Sequence, residues 1–221
     1  MKNHIIISLL FLSVGFGQQG YYYNELVELD NGLWTLKFSD EPITGKVYDY
    51  FEEFKPYSGA IISGKKVYMG NMVEGKKEGK WKSYFHNNGK KKFDENWKDG
   101  ERDGLFTQWY DNGKKQKRGT YKDGKEDGVW TWWFENGQKK DKGTYKDGKQ
   151  AGLFTQWYEN GQKSFEGTYK DGKENGVQTD WYENGLKQKE GTYKDGKDDG
   201  LFTEWYENGQ KSFEGTYKDG K

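Results

Sequence analysis

The chain has no cysteine, two prolines and two histidines among 221 residues. Without cysteine there are no disulfides, no lipoprotein-type attachment and no Cys/His zinc site. The histidines are His4 and His86. His4 lies in an apolar leader and His86 stands beside Asn87-Asn88-Gly89, where it reads as a turn residue, so a Ser–His–Asp triad has little to draw on. An excess of one charge is missing too: 36 basic side chains face 36 acidic ones. Nucleic-acid binding rests on clustered Lys and Arg, so no nucleic-acid partner is expected. The one basic run, Lys90, Lys91 and Lys92, is followed at once by Asp94 and Glu95. Apolar residues are scarce, at 31% against 33% charged; an average globular domain is roughly 45–50% apolar and about 25% charged. A conventional thick core is therefore not expected. Disorder, the usual meaning of such a balance, is opposed by 18% aromatics, zero net charge and 32 glycines.

Long apolar runs are absent apart from Ile5 to Phe16. That stretch is too short for an ordinary membrane span. With Lys2 before it and Gly15-Phe16-Gly17 closing it, residues 1–17 read as a secretory signal peptide, a retained anchor being the alternative. The expected location is secreted, periplasmic or cell-surface.

What is present in abundance is repetition. The aromatic residue opening "YKDGK" recurs every 24 residues as Tyr121, Tyr145, Tyr169, Tyr193 and Tyr217, with Trp97 one period earlier. Asn112-Gly113, Asn136-Gly137, Asn160-Gly161, Asn184-Gly185 and Asn208-Gly209 keep the same step. A less regular copy precedes them, with Met72-Val73-Glu74-Gly75-Lys76 in place of "YKDGK" and one extra residue before Asn88-Gly89. The chain thus divides into a leader at 1–17, a degenerate N-terminal β region at 18–63 and 24-residue repeats over 64–221. The string G-x-x-x-x-G-K in "GTYKDGK" imitates a phosphate-binding loop, but Glu126, Gln150, Glu174 or Asp198 follows the lysine where Ser or Thr would hold magnesium. The stretch is a turn.

Within one repeat, "LFTQWY" (Leu153 to Tyr158) is rich in aromatic and β-branched residues and reads as a strand. Asn160-Gly161 suits the two positive-φ positions of a type I′ turn, and "KSFEGTY" (Lys163 to Tyr169) returns as the partner strand. A two-residue turn there sets Phe154 opposite Gly167 and Trp157 opposite Ser164. Leu153, Thr155 and Trp157 then share one face, and Phe154, Gln156 and Tyr158 the other. Asp171-Gly172 begins the next reversal, whose length and register stay open. The expected fold is all-β: an elongated, twisted antiparallel meander of repeated β-hairpins. Matching side chains should stack about 9–10 Å apart, two strand spacings. The candidate binding or structural ladder is Trp109, Trp133, Trp157, Trp181 and Trp205 beside Tyr110, Phe134, Tyr158, Tyr182 and Tyr206, with Leu105, Val129, Leu153, Val177 and Leu201 alongside. Gln178, where other repeats carry Phe or Trp, should weaken it locally.

"GTYKDGKEDGVWTWWFENGQKKDKGTYKDGK" (Gly119 to Lys149) resembles the MORN repeat, in particular its bacterial 24-residue variant. The resemblance extends over Gly64 to Lys221. It implies an elongated hairpin sheet acting as a scaffold or binding surface, with protein or lipid partners and no shared catalytic residue. Bacterial proteins of this variant are often labelled antitoxin components of toxin–antitoxin systems, a label at odds with an exported chain.

No enzyme is expected. Glu159, Glu183 and Glu207 recur with the repeat, whereas a catalytic acid pair sits once in a unique cleft. The acids of Asp123 to Asp127 and Asp195 to Asp199 lack EF-hand spacing and carry a central lysine, so turn chemistry accounts for them better than calcium. No cofactor or metal is expected. The leading expectation is an exported, non-enzymatic scaffold with a protein partner. An envelope glycan or lipid binder using exposed aromatics is the second, and an antitoxin-like neutralising protein the third. Because the sequence stops at Lys221 straight after "YKDG", the last strand should leave an open edge where a second copy could dock, unless the chain is a fragment.

Overall fold

Two kinds of X-Gly pair set the architecture, and they do so differently. At Asp171-Gly172 both residues have positive φ, 53° and 81°, and Lys170 pairs with Lys173 across the turn. This is the two-residue type I′ turn, whose twist matches that of the flanking strands. At Asn160-Gly161 only the glycine is left-handed, with φ 87°. The Tyr158 amide donates to the Gln162 carbonyl and the Gly161 amide to the Tyr158 carbonyl, both at 2.9 Å. The loop therefore holds three residues, a type I turn closed by a left-handed glycine. This corrects the sequence expectation: the type I′ turn lies at Asp-Gly and not at Asn-Gly. The reversal left open is the tighter of the two.

The computed structural model describes residues 20–22, 25–29, 33–37, 41–54, 61–85 and 87–221, with backbone only at 22, 50–54 and 61–66. The leader read at 1–17 and the turn role read for His86 lie outside the described residues. The strands of the N-terminal part are β1 (Gly20–Tyr22), β2 (Leu26–Glu28), β3 (Trp34–Leu36), β4 (Gly45–Phe54), β5 (Ile61–Val73), β6 (Lys76–Tyr84), β7 (Lys91–Lys98) and β8 (Glu101–Arg102). The regular array follows: β9 (Gly104–Trp109), β10 (Lys115–Lys122), β11 (Lys125–Trp133), β12 (Lys139–Lys146), β13 (Lys149–Trp157), β14 (Lys163–Lys170), β15 (Lys173–Trp181), β16 (Lys187–Lys194), β17 (Lys197–Trp205) and β18 (Lys211–Tyr217).

Sixteen of these strands form one open sheet, ordered β1-β4-β5-β6-β7-β9 and then consecutively to β18, with β8 paired to β7. Every pairing is antiparallel except β1 with β4. No α-helix occurs among the described residues. The short β2–β3 hairpin is tied to the β5–β6 turn through hydrogen bonds from Trp34 N to Gly75 O and from Gly75 N to Ile43 O, each 2.7 Å. Around it Leu26, Ile43, Val47, Met69, Met72 and Trp81 pack into a small buried cluster. Glu74 and Gly75 at this turn have φ 48° and 75°, so "MVEGK" makes the same turn as the later "YKDGK" blocks.

Register explains which side chains meet. Phe154 lies opposite Gly167, as expected. Trp157, however, pairs with Lys163 and not with Ser164, because the ladder shifts by one residue between Gln156 and Trp157. The three-residue loop is the physical cause: its extra residue must be absorbed by a bulge. The skipped residue, Ser164, lies on β14, so alternation along β13 is unbroken and Trp157 keeps to the face of Leu153 and Thr155, as expected.

Candidate interaction surfaces

Glycine and ring alternate across the array. Phe106 lies opposite Gly119, Trp130 and Phe154 both lie opposite Gly143, and Phe154 and Gln178 both lie opposite Gly167. Gln178 and Phe202 likewise flank Gly191, and Phe202 faces Gly215. A methyl group added to Gly143 would run into the ring of Phe154, so the glycine is required by close approach of that ring. Trp130 is fully buried, and Phe106 and Phe202 nearly so. Tyrosines close the rings from the side: Tyr121 meets Trp130 edge-on at 4.9 Å and Tyr193 meets Phe202 at 5.2 Å. Burial raises the phenol pKa of Tyr121, Tyr145, Tyr169 and Tyr193 above the ordinary value. This column, and not the one through Trp157, is the core of the array.

Gln178 interrupts the column. It is buried and its Nε2 has no hydrogen-bond partner. Two residues on, burial raises the carboxyl pKa of Asp180, opposed by the charge of Lys189.

The predicted ladder sits at the Asn-Gly rim. Trp109, Trp133, Trp157, Trp181 and Trp205 are all half-buried there. Each has the lysine of the preceding repeat over its ring: Lys91 over Trp109 at 5.0 Å, Lys139 over Trp157 at 5.9 Å, Lys163 over Trp181 at 5.7 Å. Lys115 and Lys187 lie likewise over Trp133 and Trp205. The neighbouring column ties repeats together: the hydroxyls of Tyr110, Tyr158 and Tyr182 donate to the carbonyls of Trp133, Trp181 and Trp205 at 2.6–2.7 Å. Phe134 has no hydroxyl for this, and Tyr206 is exposed at the last repeat. The loop asparagines add a further stitch. Asn160 Oδ1 accepts from the Gln162 amide, and Asn160 Nδ2 donates to Glu183 O in the next repeat at 3.0 Å. At the opposite rim the type I′ turns are stitched backwards, Gly172 N donating to Gln150 O at 2.9 Å.

The other face differs. Leu105, Val129, Leu153, Val177 and Leu201 share the face of the Trp109–Trp205 ladder, as expected; they point away from the Phe106-to-Phe202 column and are 45–56% exposed. Each lies opposite a threonine, from Leu105 with Thr120 to Leu201 with Thr216. On the same face, nearer the Asp-Gly rim, four exposed lysine pairs flank the turns: Lys122 with Lys125, Lys146 with Lys149, Lys170 with Lys173 and Lys194 with Lys197. None of these eight forms an ion pair among the described residues, whereas Lys163, Lys187 and Lys211 at the other rim pair with Glu166, Glu190 and Glu214. Like charges directly opposite each other in a sheet are destabilising. Sequence reading overlooked these pairs, although K-D-G-K around a two-residue turn is the signal for them. Across the thickness of that rim, Glu126, Glu174 and Asp198 occupy the ring face beside Tyr121, Tyr169 and Tyr193.

Where the array meets the N-terminal cluster, Glu95 takes the place of a column glycine, opposite Trp81. It is buried and held by Arg102 at 2.9 Å. The ammonium of Lys77 lies among Trp34, Trp81 and Trp97, 4.6–5.5 Å from their rings, and burial lowers its pKa. A cavity of about 440 Å³ opens here, lined in part by Lys77, Trp81, Ser83 and Arg102. Among the described residues no group of three or more His, Asp or Glu side chains is arranged to hold a metal ion.

An open sheet built from one hairpin unit in tandem, each unit contacting only its neighbours, defines a repeat scaffold. Residues 102–123, 126–147, 150–171, 174–195 and 198–219 each match the MORN repeat variant, and the chain is a MORN-repeat protein with five tandem matched copies. The less regular copies before residue 102 lie outside the matched stretch. No match was found among curated proteins.

Proposed function

We propose that the chain is an exported, non-enzymatic scaffold that mediates protein–protein interaction. One observation carries this reading: the array displays the same exposed side chains in every repeat, about 9–10 Å apart. A surface of that kind suits a partner spread over several repeats. Export rests on the apolar leader at residues 1–17. The test is crosslinking mass spectrometry in intact cells with the tagged chain, together with cell fractionation. Recovery in the envelope or medium, with one partner protein crosslinked at three or more repeats, supports the reading. A cytoplasmic chain, or crosslinks confined to one repeat, would overturn it.

The glycan or lipid alternative would use the Trp109–Trp205 ladder. Lysines over those rings and hydroxyls tied to the next repeat favour a structural role for it instead. In Trp157→Ala, lost ligand binding with unchanged melting would favour recognition; lost folding would favour structure. An antitoxin-like role requires a toxin in the same compartment. Docking of a second copy on β18 would register as a dimer in light scattering.

A further inference from the structure

The geometry points to the aliphatic face as a docking surface for an acidic, extended polypeptide segment carrying an apolar side chain at every third residue. This deepens the scaffold reading and rests on it. The apolar element is the Leu105-to-Leu201 column, exposed and with each member opposite a threonine. The electrostatic element is the row of four unpaired lysine pairs, set two residues along the strand from those threonines, about 7 Å away. On that face the eight lysines outnumber the aspartates at the four turn tips and Asp127, which lies opposite Thr120, while Glu126, Glu174 and Asp198 stand on the ring face. On the other flank Arg118 and Lys142 are exposed where later repeats carry Glu166 and Glu190. The segment is thus met by cations on both sides over β10 and β12.

Spacing selects the conformation of the occupant. Successive column residues stand two strand spacings apart, about 9.4–9.8 Å. A polyproline II segment repeats every three residues, about 9.3 Å. An apolar residue at every third position would meet one Leu or Val per repeat, with its neighbours directed at the lysine pairs. The Phe106-to-Phe202 rings are turned to the opposite face, and the tryptophans that share the aliphatic face at the Asn-Gly rim are each covered by a lysine, so no open stacking platform for nucleic-acid bases is offered.

The experiment uses the purified full chain and a labelled 15-residue peptide of five Glu-Leu-Glu units. Comparison ligands are a 15-residue oligoglutamate, a single-stranded oligonucleotide and anionic lipid vesicles. Saturable peptide binding at 50 mM salt is expected, weakened about tenfold or more at 0.5 M salt. Lys146→Gln, Lys149→Gln, Lys170→Gln and Lys173→Gln combined should weaken it about tenfold. Because that variant relieves opposed like charges, its melting temperature should not fall. Leu153→Thr with Val177→Thr should weaken binding about fivefold and leave oligoglutamate binding unchanged. Absence of peptide binding, binding unaffected by either set of substitutions, or tighter binding to oligonucleotide or vesicles overturns the assignment. If the lysine variant loses the peptide but keeps its crosslinked partner in cells, this face is not the docking surface and the scaffold reading stands.

Discussion

Trp81 and Trp130 each cover a backbone glycine, Gly70 and Gly119, yet they belong to different kinds of structure. Trp81 is enclosed by a three-dimensional cluster: its Nε1 donates to Asn71 O at 3.0 Å, and Leu26, Ile43, Met69 and Met72 pack nearby. Trp130 has Tyr121 at its edge, Lys117 over its ring at 4.4 Å and, beyond Gly119 of β10, the Phe106 ring of β9 at 5.9 Å. Both are almost wholly buried. A single-layer array can therefore bury a tryptophan as deeply as a clustered core, provided that glycine recurs on every second strand. What it cannot do is share the load beyond nearest neighbours.

The strongest way to break this comparison is to truncate both rings. Trp81→Ala and Trp130→Ala are each expected to cost about 3–5 kcal/mol. Hydrogen exchange should quicken throughout β2 to β7 in the first variant, but only around β9 to β12 in the second. Faster exchange over the whole array in the Trp130 variant would abolish the distinction. Next in size, Gly143→Ala should cost about 1–3 kcal/mol in denaturant titrations, because the Phe154 ring has to move. A smaller effect of opposite sign is expected from Gln178→Phe, which completes the ring column and removes an unpartnered amide; a gain of about 1–2 kcal/mol should appear as a raised melting temperature. Tyr158→Phe, which gives this repeat the side chain that Phe134 already supplies in its own, should lose about 0.5–1.5 kcal/mol with the bond to Trp181 O.

The weakest effect at neutral pH becomes visible in alkali. Burial raises the pKa of Tyr121, Tyr145, Tyr169 and Tyr193. Above about pH 10 the unfolded chain loses those protons first, so stability present below that pH falls as pH rises through the folded values. Unfolding of the array should track tyrosinate absorbance near 295 nm (about the usual tyrosinate band); an array stable while its tyrosines ionise would contradict the burial described.

Much of this was legible in the residues. The period, the all-β hairpin sheet, the pairing of Phe154 with Gly167 and the irregularity at Gln178 follow from spacing and side-chain type. Asn160-Gly161 and Asp171-Gly172 were harder to separate, because both are favoured type I′ pairs and propensity does not count loop residues. The extra loop residue moved the cross-strand partner of Trp157 from Ser164 to Lys163. The lysine row was hidden for the same reason: its face is known only once the Asp-Gly turn is known to be tight.

Because each unit is stitched forwards at the asparagine loops and backwards at the Asp-Gly turns, every junction between units is interchangeable. Gain or loss of whole 24-residue blocks would act like adding or removing divisions on a ruler. An odd number of residues added within a strand would turn the leucines toward the rings, and the single extra residue before Asn88-Gly89 is tolerated because it falls in a loop. Reach, more than shape, is the property such a chain can change cheaply.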